Sequence, residues 1–320
     1  MSTDDDVTAT QRSGTGSVAR REGLGAEPTA EPTETVGFIG LGNMGGPMAA
    51  RLVRAGYRVQ GFDLAEPARQ AFAGTGGTVA PELTGAVRGA SVIVLMLPNS
   101  DIVEATVRDA GFAVEHGATV IDMSSSEPMR TRALAAELAQ RGVTLVDAPV
   151  SGGVSRARTG ELTVMTGGEP ADLDRVAPIL TQLGTATRVG AVGSGHAVKA
   201  LNNLLSATHL LVTCEAILAG ERFGLDPETM LSIFNGSSGR SGSTENKWPN
   251  FILPGTYDSG FGLRLMLKDV RIATALADQV GAPDPLGHAT AELWARAAEA
   301  LEATADHTEI VNWLRKDASR

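Results

Sequence analysis

Lys199 and Asn203 stand four residues apart in the run Gly195-His196-Ala197-Val198-Lys199-Ala200-Leu201-Asn202-Asn203. At that spacing both side chains share one face of a helix. Val198, Ala200 and Leu201 would desolvate an inward-facing ammonium. Burial disfavours the charged form, lowers the pKa and suits the amine to proton transfer near neutral pH. On periodicity alone, the plainer reading is a surface lysine at the exposed start of a helix.

A second constellation is Gly40-Leu41-Gly42-Asn43-Met44-Gly45, directly after the apolar run Val36-Gly37-Phe38-Ile39. Its first glycine permits a tight turn and its second lets backbone approach a pyrophosphate. Its third lets strand and helix pack, and the helix N-terminus faces the phosphate charge. Such glycine patterns are weak evidence alone. Here a helical segment follows, then the strand Tyr57–Phe62, then Asp63, 18 residues after Gly45. A carboxylate there accepts hydrogen bonds from ribose hydroxyls and repels a 2′-phosphate. Leu64 and Ala65 follow it rather than an arginine, so the pattern favours NAD and leaves NADP possible. A strand-end cap is the other reading of Asp63.

A third constellation is Asp147-Ala148-Pro149-Val150-Ser151-Gly152-Gly153, at the end of the strand Thr144–Val146. In α/β sheets, ligands bind beyond the carboxyl ends of strands. A Ser-Gly-Gly turn presents backbone N–H groups unobstructed, a cradle for a small carboxylate. A plain turn built of turn-forming residues reads the same.

These groups need a scaffold. Val92–Leu97 and Ala118–Ile121 are continuously apolar. Such runs suit parallel strands covered on both faces. Helical spacing marks Met44–Ala55, Glu66–Phe72, Asp101–Val107 and Pro128–Arg141 between them. Strand and helix in alternation predict a doubly wound α/β sheet. After about Gly193 the strands stop. Helical stretches are expected at His196–Phe223, Pro227–Phe234, Leu263–Val280, Leu286–Ala303 and Thr308–Lys316. Leu201–Cys214 is uncharged but too short between Lys199 and Glu215 for a membrane span of ~20 residues, so it is read as a buried helix.

The expected organisation is a disordered tail over 1–34, a Rossmann-like dinucleotide-binding domain over 35–193 and an all-helical domain over 194–320. The tail carries seven acids against Arg12, Arg20 and Arg21 and almost no large apolar side chains. It therefore buries too little to offset its ordering entropy. Its acidic start lacks the apolar run of a secretory leader. The chain of 320 residues has a net charge of −10 and only 4% aromatics, which argues against nucleic acid as a partner. One cysteine, Cys214, excludes an internal disulfide and a cysteine-rich zinc site, and fits a cytoplasmic setting. The five histidines are scattered, so no metal site is expected.

In order and spacing the three constellations resemble the β-hydroxyacid dehydrogenase family, of the 3-hydroxyisobutyrate dehydrogenase and tartronate semialdehyde reductase type. The resemblance runs from Val36 to about Leu314. It implies that Lys199 is the general acid/base and that Asn203 helps hold the substrate. It implies that Ser151, Gly152 and Gly153 grip the substrate carboxylate. Gly40 to Gly45 (with Leu41, Asn43 and Met44), Asp63, Leu97, Pro98, Ser124 and Lys268 are implied to line the cofactor. The implied reaction is reversible hydride transfer between NAD and a small 3-hydroxy acid, without metal, in a homodimer or homotetramer. Which acid is not legible; Arg240 in the Ser237–Asn246 stretch could meet a second anionic group or form a loop salt bridge. An imine reductase-like enzyme of the same fold and a non-catalytic dinucleotide-binding protein are the alternatives.

Overall fold

Alternation inside each short strand explains the architecture. In a strand, successive side chains point to opposite faces. Val36, Phe38, Val92, Val94 and Ile121 fall in one buried cluster, whereas Ile39, Ile93, Leu95 and Val120 fall in another. The sheet is therefore coated on both faces. The computed structural model describes residues 34–317. The tail expected over 1–34 lies, up to residue 33, outside them.

The first half runs β1 (Thr35–Ile39), α1 (Gly45–Arg54), β2 (Arg58–Phe62), α2 (Glu66–Ala73), β3 (Thr78–Val79) and α3 (Leu83–Val87). It continues with β4 (Val92–Leu95), α4 (Ser100–Ala110), β5 (Thr119–Asp122), α5 (Pro128–Ala139) and β6 (Thr144–Asp147). These strands lie in the order β3-β2-β1-β4-β5-β6, each pair parallel. That is the Rossmann order, and its crevice opens between β1 and β4, where the winding reverses.

The sheet then departs from the pattern expected of it. It continues through β7 (Val150–Ser151), α6 (Gly153–Thr159), β8 (Leu162–Gly167), α7 (Pro170–Leu183) and β9 (Gly184–Gly190). β8 runs antiparallel to β6 and β7, and β9 is parallel to β8. β7 and α6 lie between β6 and β8, and β7 already pairs antiparallel with β8, as in a hairpin rather than a crossover.

Helices make up the remainder: α8 (Ser194–Phe223), α9 (Pro227–Asn235), α10 (Leu263–Val280), α11 (Pro285–Ala300) and α12 (Ile310–Asp317). A π-helix over Ser243–Ile252 stands between α9 and α10, where no helical stretch was expected. The helical core centres on Trp248, Trp294, Leu210, Leu211, Ile217 and Ile310. Each large apolar side chain removed from water there contributes roughly 1.5–3 kcal/mol.

α8 is its spine. With 30 residues it is about 45 Å long. It is long and apolar enough to cross a bilayer. The expectation of a simply buried helix needs revision. Ala207, Leu210, Cys214 and Ile217 are buried, but Val198, Leu201, Leu205 and Val212 are exposed along another face.

The N-terminus of α8 seats directly on the sheet. A Cβ at Gly195 would lie 2.3 Å from the Met165 carbonyl oxygen and 2.8 Å from Asp147 Oδ2. Gly195→Ala should therefore push α8 off β8 and destabilise the fold by about 1–3 kcal/mol. Thermal unfolding checks this; an unchanged Tm would show that the helix end has room to move.

Candidate active site

The glycine turn joins β1 to α1 and meets the steric demands of a nucleotide cradle. Gly40 has φ +94°, and a Cβ on it would sit 2.2 Å from the Met96 carbonyl oxygen. A Cβ on Gly45 would come within 1.8 Å of the Gly40 carbonyl oxygen. Around Gly42 a Cβ would meet nothing within 4 Å, so open space lies where a pyrophosphate must approach. No side chain caps α1 at Met44. The first-turn N–H groups thus have no side-chain competitor for an anion. The turn fits a dinucleotide.

Asp63 ends β2 and braces this turn. Its Oδ2 accepts the Leu41 N–H at 2.7 Å, and its Oδ1 accepts the Ala65 N–H at 2.8 Å. The cap reading and the ribose reading are thus compatible, because each oxygen keeps a further lone pair. Arg69, six residues on, does come to this corner. Its guanidinium donates to the Asp63 and Leu64 carbonyl oxygens and pairs with Glu66. Asp63 itself is half-buried at the end of β2.

At the neighbouring strand ends, Ser124 is fully buried and its Oγ accepts the Leu97 N–H at 2.9 Å. The structure thus displays Ser124 as a tie between the ends of β4 and β5, beneath the turn that carries Leu97 and Pro98. Lys268, on α10, donates to the Ser125 carbonyl oxygen at 2.8 Å and pairs with Asp269 at 2.8 Å. It links the helical half to the end of β5.

Lys199 and Asn203 both face inward on α8, at 8% and 5% exposure. The surface-lysine reading fails for this position. Burial holds the Lys199 pKa below the ordinary lysine value; Asp269 opposes that shift and Lys268 reinforces it. Asn203 donates to Asp269 Oδ2 at 2.5 Å. Ser151, Gly152 and Gly153 form the turn between β7 and α6. Gly152 and Gly153 have φ of +129° and +68°, and a Cβ on Gly153 would meet nothing within 4 Å. Both conformations favour glycine. Arg240 pairs with Glu245 at 2.7 Å, so of its two readings the structure displays the loop salt bridge.

Two groups of residues here received no role from the sequence. Asp269 is one; its only signal is adjacency to Lys268. The other is a buried network under α8. Asp147 Oδ1 accepts the Gly193 N–H at 2.6 Å, and its Oδ2 accepts the His196 N–H at 2.8 Å. The His196 ring lies 2.8 Å from Thr131 Oγ1 and 3.7 Å from Asp122 Oδ2. Desolvation raises the Asp147 pKa, against the pull of His196 and the two N–H groups. Asp122 in turn accepts from the Ser124 N–H and the Ser126 hydroxyl.

A nucleotide cradle on the sheet and a buried amine on the adjoining helix together define a dinucleotide-dependent oxidoreductase. Comparison with known proteins narrows the class. The family model for the NAD binding domain of 6-phosphogluconate dehydrogenase matches residues 35–193. The model for the NAD-binding of NADP-dependent 3-hydroxyisobutyrate dehydrogenase matches residues 193–314. A 2-(hydroxymethyl)glutarate dehydrogenase from Eubacterium barkeri is 37% identical, over 80% of this chain and 86% of its own. Bovine mitochondrial 3-hydroxyisobutyrate dehydrogenase is 36% identical, over 88% of this chain and 87% of its own. The solved Mycobacterium tuberculosis 3-hydroxyisobutyrate dehydrogenase with L-serine superposes with a TM-score of 0.84 at 32% identity, covering 88% of this chain and 99% of that one. The chain belongs to the β-hydroxyacid dehydrogenase family, the NAD(P)-dependent oxidoreductases of hydroxy acids.

Asp63→Ala should lower the ratio of kcat/KM with NAD to that with NADP at least tenfold. Steady-state kinetics with both cofactors checks this. A wild-type preference for NADP would contradict the role read for Asp63.

Proposed function

We propose that the protein oxidises a small 3-hydroxy acid reversibly, with Lys199 as the general acid/base. The carrying observation is Lys199 itself, an amine held inward and desolvated on the helix whose end is fixed to the sheet. When bound, NAD supplies the hydride acceptor at its nicotinamide. In the oxidative direction neutral Lys199 takes the hydroxyl proton at Nζ; in the reductive direction its ammonium returns a proton to the carbonyl oxygen. A lysine with its pKa brought down from the ordinary value serves both directions near neutral pH.

The remaining residues take positioning and binding roles. Ser151, Gly152 and Gly153 receive the substrate carboxylate, which fixes the reacting carbon. Asn203 holds the substrate while Asp269 orients its amide. Gly40, Leu41, Gly42, Asn43, Met44 and Gly45 cradle the pyrophosphate, and Asp63 receives the adenosine ribose, which favours NAD over NADP. Leu97, Pro98, Ser124 and Lys268 shape the nicotinamide end, with Ser124 acting through Leu97. Residues 35–193 then serve as the nucleotide domain and 194–320 as the helical domain. The inward-facing pair of Lys199 and Asn203 speaks against the imine-reducing and non-catalytic readings.

The exposed row Val198, Leu201, Leu205 and Val212 on α8 supports a homodimer or homotetramer packed through the helical half, since an apolar stripe of this kind marks an interface. Covering that row with a second copy accounts for it without a membrane. The single cysteine, Cys214, fits a cytoplasmic location, and the net charge of −10 speaks against nucleic acid as a partner.

Lys199→Ala should lower kcat for oxidation by about 10²–10⁴-fold while NAD still binds. Stopped NADH formation with intact cofactor titration supports the assignment; retained turnover removes Lys199 from the mechanism. Oxidation needs the neutral amine, so wild-type kcat/KM should rise with pH through a limb below the ordinary lysine range. Asp269→Asn removes an interaction that raises the Lys199 pKa, so it should move that limb to lower pH.

A further inference from the structure

Lys247 lies in the π-helix, an element type often found at functional sites. Its ammonium donates to Ser206 Oγ at 2.7 Å. Ser206 stands on α8, seven residues after Lys199 and three after Asn203. Positions i, i+4 and i+7 share one helix face. Lys199, Asn203 and Ser206 therefore form one line along α8, and Lys247 closes its far end.

This cation has no ion-pair partner among the described residues. Its surroundings are Ser206 and Cys214 on α8 and Asp306 and His307 on the facing turn. Burial pushes the Cys214 thiol up to about 12, so it stays neutral and is no counter-ion. The Asp306 carboxylate is taken up by Ser259, by the Gly260 and Phe261 N–H groups and by Thr308. Burial, opposed by Cys214 and Asp306, brings the Lys247 pKa down to about 8. A half-buried charge with no ion-pair partner among the described residues is costly, and an anionic ligand relieves that cost.

We propose that Lys247 and Ser206 form a distal subsite for a second acidic group on the substrate, so that the preferred substrates are 3-hydroxy acids bearing two anionic groups. The proposal rests on the assignment of Lys199 as the acid/base. The dimensions agree with it. Seven residues of helix span about 10 Å. A five-bond chain reaches roughly 6 Å, and a hydrogen bond of about 2.8 Å at each end completes the distance.

The test uses the full-length enzyme with NAD. kcat/KM is measured for 3-hydroxyisobutyrate, with one carboxylate, and for 2-(hydroxymethyl)glutarate, with two. Wild type should favour the dicarboxylate. Lys247→Met should lower the dicarboxylate-to-monocarboxylate ratio at least tenfold, and Lys247→Arg should restore most of it. If Lys247→Met does not fold, Ser206→Ala carries the same comparison, with a smaller expected loss. A ratio unmoved by these substitutions, or a wild-type preference for the monocarboxylate, overturns the proposal. Calorimetric titration of glutarate against butyrate, in a Lys199→Ala background, reads the subsite without turnover. Glutarate binding that weakens at least tenfold on adding Lys247→Met supports the subsite even if no 3-hydroxy acid is oxidised by wild type; that last result would defeat the dehydrogenase reading instead. Glutarate binding that does not change overturns the subsite.

Discussion

The arrangement depends on one carboxylate at the end of one strand. Asp147 closes β6 and accepts two N–H groups from the first turn of α8. Those are donors a helix leaves unsatisfied, and a negative charge there also meets the positive end of the helix dipole. The contact is buried, so it is little screened. It needs Gly195, since no side chain fits between helix and strand at that point. One turn further along stands Lys199. A strand end that belongs to the nucleotide-binding sheet thus sets the position of the amine on the helical half. Thr131 and Asp122, grouped around the His196 ring, hold the same corner from α5 and β5.

The electrostatics around the amine follow from burial rather than from a tight ion pair. Asp269 serves several neighbours at once: it accepts from Asn203, pairs with Lys268 and favours the charged form of Lys199. Desolvation is nonetheless the dominant influence on Lys199. Lys268 adds to it, and also carries α10 onto the Ser125 carbonyl oxygen, so the same pair that tunes the amine joins the two halves. A change in the packing of α10 would therefore be felt in both the end of β5 and the protonation of Lys199.

The parts of the fold legible in the sequence were those written in long apolar runs. β1, β4, β5 and β6 are buried on both faces or nearly so, β2 buries only Val59 and Gly61, and α10 runs over Leu263–Val280 as the spacing predicts. Short or exposed elements carried no such signal: β3 has two residues, and β9 is mostly exposed along an edge. α7 contains Pro178, a residue that normally interrupts helices. The π-helix contains Pro249 and a polar first half. Among site residues, the glycine turn was readable because steric rules name its positions. Lys199 needed the family resemblance, because periodicity alone favoured a surface position. Asp269 and His196 stayed silent because a buried polar partner is defined by what faces it across the fold. The antiparallel turn at β8 was missed for a related reason: direction depends on the connection, not on the strand's own residues.

The account turns on the distance between an amine and a reacting oxygen. A crystal structure with NAD and a 3-hydroxy acid bound measures it directly. The account predicts Lys199 Nζ at about 2.6–3.2 Å from the substrate hydroxyl, with Asp147 still holding the Gly193 and His196 N–H groups. A bound substrate whose hydroxyl meets some other acid or base, with Lys199 out of reach, would contradict it.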